Sequence, residues 1–110
     1  RDTNPSGDIF GGWLMAQMDI AGGITAAWRA KGRIVTVAVT GMAFHRPVRV
    51  GDVLCVYAEV ERTGRTLLTV PVEAWIQRRG DRNQRVKVTE GVFTYVAIDA
   101  DGNKREVPTN

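Results

Sequence analysis

The chain has 110 residues, 44% hydrophobic and 25% charged, which makes one domain with a single core and no compositional sign of disorder. Fifteen lysines and arginines against twelve aspartates and glutamates give a net charge of +3, a balance that suits an anionic ligand without demonstrating one. A single cysteine, Cys55, and a single histidine, His45, exclude an internal disulfide framework and a Cys/His zinc cluster.

No run approaches the ~20 apolar residues that span a bilayer, so no stable membrane insertion is expected. With no signal peptide visible, a cytoplasmic location is the expectation. The arginines are scattered, without aromatic platforms or a recognisable module among them, and no nucleic-acid partner is expected. The chain opens at Arg1 without methionine, and the single domain over residues 1–110 is expected to lack an N-terminal strand.

Residues 1–10 hold Asn4, Pro5, Ser6 and Gly7 in a row, which is turn chemistry. The only long helical pattern follows. It is expected to start near Phe10 to Gly12 and to end around Lys31 and Gly32, with Arg29 and Lys31 in the last turn and Gly32 in the terminating position. At 100° per residue, Gly12, Met15, Ala16, Asp19, Gly23, Ala26, Ala27 and Ala30 share one stripe, and Leu14, Gln17, Met18, Ala21, Thr25 and Trp28 lie opposite. Gly22 and Gly23 inside a helix each cost roughly 1 kcal/mol relative to alanine, which points to close packing.

Beyond Gly32 the period changes to two. Strands are expected over Arg33–Phe44, with Gly41 a bulge candidate, over Val53–Arg62, over Thr66–Arg78 and over Gln84–Ile98. Pro47 marks a strand break, and Pro71 places the third strand at an edge or a bulge. Turns at 63–65, 80–83 and 99–103 join consecutive strands into an expected antiparallel meander. The tail from Lys104 is expected to fray. One helix followed by long strands makes an α+β domain whose curled sheet covers the helix on its concave face.

Asp19 stands among Met15, Ala16, Gly22 and Gly23, with no Lys or Arg three or four positions away. Two readings follow. Either the carboxylate accepts bonds from a neighbouring backbone or from water, or it is a desolvated general base, whose pKa such surroundings tend to raise.

The residues that carry a resemblance are Asp2-Thr3-Asn4, Gly7-Asp8-Ile9-Phe10-Gly11-Gly12-Trp13 and Met18-Asp19. They continue with Val35-Thr36-Val37, Met42-Ala43-Phe44, Arg46-Pro47-Val48, Val50-Gly51-Asp52, Gly64-Arg65-Thr66 and Val92-Phe93-Thr94-Tyr95-Val96-Ala97. In combination this set resembles the acyl-CoA thioester hydrolases of the hotdog-fold superfamily, in particular the small bacterial single-domain type. The resemblance implies one central helix wrapped by a curved antiparallel sheet, and hydrolysis of acyl-CoA to free acid and CoA. It also implies homodimers whose sheets join, three dimers to a hexamer, sites at the dimer interface, and no metal or other cofactor beyond the CoA of the substrate.

The same resemblance puts the catalytic carboxylate at Asp19 and a polar partner at Asn4. Asp19 either activates water or attacks to give an anhydride. Backbone N–H groups near Gly11 and Gly12, at the expected helix start, are the candidate oxyanion donors. Asp19 lies about 10 Å along the helix from Gly12, so the two groups are expected to come from different chains. Arg46, Arg65 and Thr66 are candidates for the CoA phosphates, and Phe10, Trp13, Met15 and Met42 for the acyl or pantetheine channel, each with surface or core packing as the alternative. Asp8 complements the helix dipole.

Two other functions compete. A non-catalytic acyl-CoA-binding hotdog module would keep its ligand unhydrolysed. A hotdog dehydratase would need a histidine with an acidic partner from the helix, and His45 lies on a strand outside that pattern. With Ser6 the only serine, a Ser-His-Asp triad is poorly supported.

Overall fold

A computed structural model of the chain describes residues 5–78 and 84–109, with side chains from Phe10 onward. Asn4 and the 80–83 loop lie outside the described residues. Helix α1 runs Pro5–Ala30, and five strands follow: β1 Ile34–Phe44, β2 Val53–Ala58, β3 Arg62–Thr63, β4 Leu67–Gln77 and β5 Arg85–Ala97. No described helix is long and apolar enough to cross a membrane.

The helix begins five residues or more before the expected start at Phe10 to Gly12. Pro5 occupies its first turn, where a missing N–H removes no intrahelical bond and the fixed φ is already helical. Asp8 falls in the same turn. At the other end the left-handed residue is Lys31, at φ 56°, rather than Gly32. The N–H of Gly32 returns to the carbonyl of Ala27 at 3.2 Å, closing a Schellman-type cap. Gly32 is small for another reason: a Cβ there would press on the Arg105 guanidinium at 2.6 Å.

The sheet order is β1-β5-β4-β2, with β3 also on β4 and every named pair antiparallel. The expected meander fails at its first step, because β1 pairs with β5 and not with β2. After Phe44 the N–H groups of His45 and Arg46 both reach the Val88 carbonyl, at 2.7 and 3.3 Å, so the chain stays on β5 before turning away. From β1 to β2 is three interstrand spacings, about 14 Å, a gap that residues 45–52 can bridge.

Pro71 sits in β4, a strand flanked on both sides, and not at an edge. Its side of the ladder is where the partner breaks: β2 ends opposite Val72 and β3 begins opposite Thr69, so no strand residue needs the missing N–H. The same break divides the strand expected over Val53–Arg62. Gly41 lies in a register shift between Thr40 and Ala43, at φ 64°, as a bulge requires. A Cβ at Gly41 meets nothing within 4 Å, so Gly41→Ala should cost only the left-handed penalty of about 1 kcal/mol, read as a shift in denaturant midpoint at unchanged m-value.

Inward-facing Leu68, Val70, Val72, Ala74 and Ile76 alternate along β4, all buried, and meet Phe93 and Tyr95 of β5. Against them α1 sets a ridge of Leu14, Met18, Gly22, Ala26 and Ala30, spaced by four. This ridge cuts across the two expected stripes, and Trp28 is 82% exposed. The tail does not fray. Val107 is buried and its N–H bonds the Arg65 carbonyl at 2.8 Å, while the Arg29 guanidinium donates to the Pro108 carbonyl at 2.7 Å.

Candidate active site

Midway along α1, just off the buried ridge, Asp19 meets two hydroxyls. Thr36 Oγ1 on β1 donates to its Oδ1 at 2.8 Å, and the Tyr95 hydroxyl on β5 reaches the same oxygen at 3.1 Å and the Asp19 main-chain carbonyl at 3.0 Å. Oδ2 accepts no hydrogen bond from any described residue. A carboxylate anchored through one oxygen, with no cation beside it among the described residues, is oriented with its second oxygen available.

Both hydroxyls come from inward positions. Thr36 is paired with Tyr95 across β1 and β5, and the alternation of each strand turns both toward the helix. Burial, together with the charge of Asp19 and the bond to it, holds the Tyr95 phenol well above its usual pKa, so it remains a neutral donor throughout the working range of an enzyme.

Beside Asp19 lies a cleft of about 270 Å³ lined by Gly12, Met15, Ala16, Asp19, Val39 and Phe93. Its apolar walls and single carboxylate fit an acyl or thioester segment better than a charged one. Gly12 and Asp19 mark it about 10 Å apart along the helix. One wall, Val39, belongs to β1, an edge strand of the sheet. A larger groove of about 1020 Å³ between α1 and β2 carries Glu59, Glu61 and Glu73 and no Lys or Arg, a lining that repels phosphates.

Gly11 and Gly12 require a correction. With α1 starting at Pro5, they lie six and seven residues in, past the first turn, where helical N–H groups are spent on carbonyls four residues back. The free donors inferred from a helix start at Gly12 therefore belong to the turn at Pro5. What the two glycines do provide is space: a Cβ on either meets nothing within 4 Å, so their backbone is open to close approach.

The remaining candidates divide. Phe10 and Trp13 form an edge-to-face pair, 6.4 Å between ring centres, on the exposed side of α1 and outside the cleft lining. Met15 lines the cleft, whereas Met42 packs over Gly91 against the core. Arg46 is exposed beside Val88. Arg65 pairs with Glu106 at 3.1 Å, both largely exposed, and Thr66 accepts the Ala97 N–H at 3.0 Å through its carbonyl.

Arg46 adjoins Val88, while Arg65 and Thr66 adjoin Leu67, opposite Val96. Those β5 positions are about 25 Å apart along a strand, so one protomer does not bring the two arginines together. Among the described residues no three His, Cys, Asp or Glu side chains gather to hold a metal ion.

His45 bonds Glu90 through Nε2 at 3.0 Å, and Lys87 bonds the same carboxylate at 3.1 Å. The two donors, His45 first, hold the Glu90 carboxyl below its usual pKa. The acid that meets the histidine is therefore on β5 and not on the helix, contrary to the dehydratase pattern. Thr36 and Tyr95 were not candidates from the sequence. The available signal was a hydroxyl at an inward position in each of two otherwise apolar strand patterns.

The profile of the Thioesterase superfamily matches residues 6–82. An acyl-CoA thioester hydrolase of Salmonella typhimurium is 52% identical over 109 residues, covering 97% of this chain and 82% of that protein. Among solved structures, a hexameric thioesterase from Yersinia pestis superposes with a TM-score of 0.88 at 52% identity, over 99% of this chain and 88% of that one. A hexameric broad-specificity acyl-coenzyme A thioesterase gives 0.87 at 46% identity, over 99% and 75%. The helix on a curved antiparallel sheet is the hotdog fold of these neighbours, and the chain belongs to the thioesterase superfamily.

Proposed function

We propose that this chain hydrolyses acyl-CoA to a free carboxylic acid and CoA, with Asp19 as its general base or nucleophile. The observation that carries the reading is the Asp19 carboxylate, anchored through Oδ1 by Thr36 and Tyr95 at the side of an apolar cleft. The acyl-CoA thioesterases among its relatives support the substrate class.

In the reaction a water oxygen bonds the thioester carbonyl carbon while Asp19 takes the water proton. The tetrahedral intermediate then expels the CoA sulfur, which leaves as thiolate and picks up a proton. In the alternative route Oδ2 bonds the carbonyl carbon, CoA leaves, and water opens the resulting anhydride. Both use the same free carboxylate oxygen. Asn4 is the proposed partner that orients the water or the carbonyl.

The active unit is a homodimer seamed along β1, assembled as a trimer of dimers like the hexameric relatives. Val35, Val37 and Phe44 leave that edge strand apolar and exposed, a surface that favours a partner. Arg46 and Arg65 can serve one CoA only when they come from different protomers. Phe10 and Trp13, exposed on one protomer, then wall the channel from beside the seam.

Thiol release from a panel of acyl-CoAs, acetyl to palmitoyl, tests the reading. CoA released by the parent and lost in Asp19→Asn supports it. Acyl-CoA that binds the parent and persists would replace it with a binding module.

A further inference from the structure

We infer that Tyr95 is a positioning residue for the hydrolysis, fixing the Asp19 carboxylate and the helix that carries it through one hydroxyl. The inference rests on the thioesterase reading above and deepens it. The phenol is fully buried on β5 and lies against the helix at its glycine pair. Its oxygen touches Asp19 twice, at the main-chain carbonyl (3.0 Å) and at Oδ1 (3.1 Å), so side chain and backbone of the same residue are registered on one atom.

Gly22 is what permits this approach. A Cβ at Gly22 would overlap the Tyr95 hydroxyl and crowd Val72 Cγ2 at 3.2 Å, so the glycine that weakens the helix is where the phenol fits. Neighbouring Phe93 stacks at 6.4 Å with an interplanar angle of 16° and fills the core with no oxygen. Packing alone therefore asks for no hydroxyl at position 95. Among the described residues Asp19 is the only charged group that acts on the phenol, which keeps its proton and thus donates without exchanging it.

Thr36 alone leaves the carboxylate free to swing about its Cβ–Cγ bond; the Tyr95 hydroxyl, fixed to the sheet core and sharing its one proton between Oδ1 and the main-chain carbonyl, restricts that freedom. Positioning groups of this kind act on turnover more than on substrate affinity.

The test is Tyr95→Phe in the intact protein. The expected result is a fall in kcat of roughly 10- to 100-fold at nearly constant KM, the scale of losing one hydrogen bond to a charged group. Gly22→Ala should lower kcat by a comparable factor through displacement of the hydroxyl. Combined with Tyr95→Phe it should cost far less than the product of the two, since the atom it displaces is gone.

A Tyr95→Phe protein that melts lower but keeps the parental kcat and KM overturns the inference and leaves Tyr95 a packing residue. Strict multiplicativity of the two substitutions also overturns it. If the parent hydrolyses no acyl-CoA, the thioesterase reading falls and this one with it. An active parent with an unaffected Tyr95→Phe sinks the positioning role alone.

Discussion

Asp19→Asn should lower kcat for acyl-CoA at least ~100-fold, the scale of losing a positioned general base, with KM and the melting temperature near those of the parent. The side chains have the same shape, and the amide oxygen can still accept from Thr36 and Tyr95, so the anchor seen at Oδ1 survives. What disappears is the negative charge and basicity of the second oxygen. Structure and chemistry separate cleanly here, because a role limited to holding β1 and β5 against α1 would tolerate the amide. Steady-state thiol release, with circular dichroism and melting curves on both proteins, reads the difference. A variant within threefold of the parent would remove Asp19 from the reaction. A raised KM at constant kcat would instead assign the carboxylate to binding.

In the candidate site Asp19 is the residue legible in the sequence, and the reason is local. Asp19 betrays itself by what surrounds it in sequence: small residues, two helix-weakening glycines and no cation within a turn. Strand extents were read to within a residue at β4 and β5, where β-branched residues alternate over long runs. The failures come from distance in sequence. That β1 pairs β5 rather than β2 depends on where residues 45–52 travel, and no turn residue encodes it. Pro71 reads in the sequence as marking an edge or a bulge, whereas its tolerance inside a flanked strand depends on a gap in the neighbouring strand. Thr36 and Tyr95 are 17 and 76 residues from Asp19, so helical spacing could find no partner for it. The helix start failed differently. Turn-forming Pro5, Ser6 and Gly7 are also acceptable in a helix's first turn, and that earlier start removed the basis for free N–H groups at Gly11 and Gly12.

Val37→Lys should dissociate the assembly and depress turnover about 10-fold or more, although the Val37 side chain bonds neither Asp19 nor Tyr95 and only follows Thr36 along the strand. Val37 is 53% exposed and is the extra residue in the register shift between Thr36 and Ala38, so it pairs with no residue of β5. Among the described residues it is not part of the hydrophobic core. On the outer edge of β1, however, a lysine is the charge that blocks strand pairing. Turnover should follow because the cleft beside Asp19 is walled on one side by β1 itself, and the proposed site is completed across that seam. A reacting group misplaced by about an ångström already costs on the order of 100-fold, so a missing wall should cost at least a tenth of that. Val50→Lys supplies the control: 95% exposed in the turn before β2, it adds the same charge away from the edge and should leave mass and kcat unchanged. Sedimentation velocity at assay concentration reads the assembly alongside thiol release. An intact hexamer would show that β1 is not the seam, and a dissociated protein with parental kcat would place the complete site within one protomer.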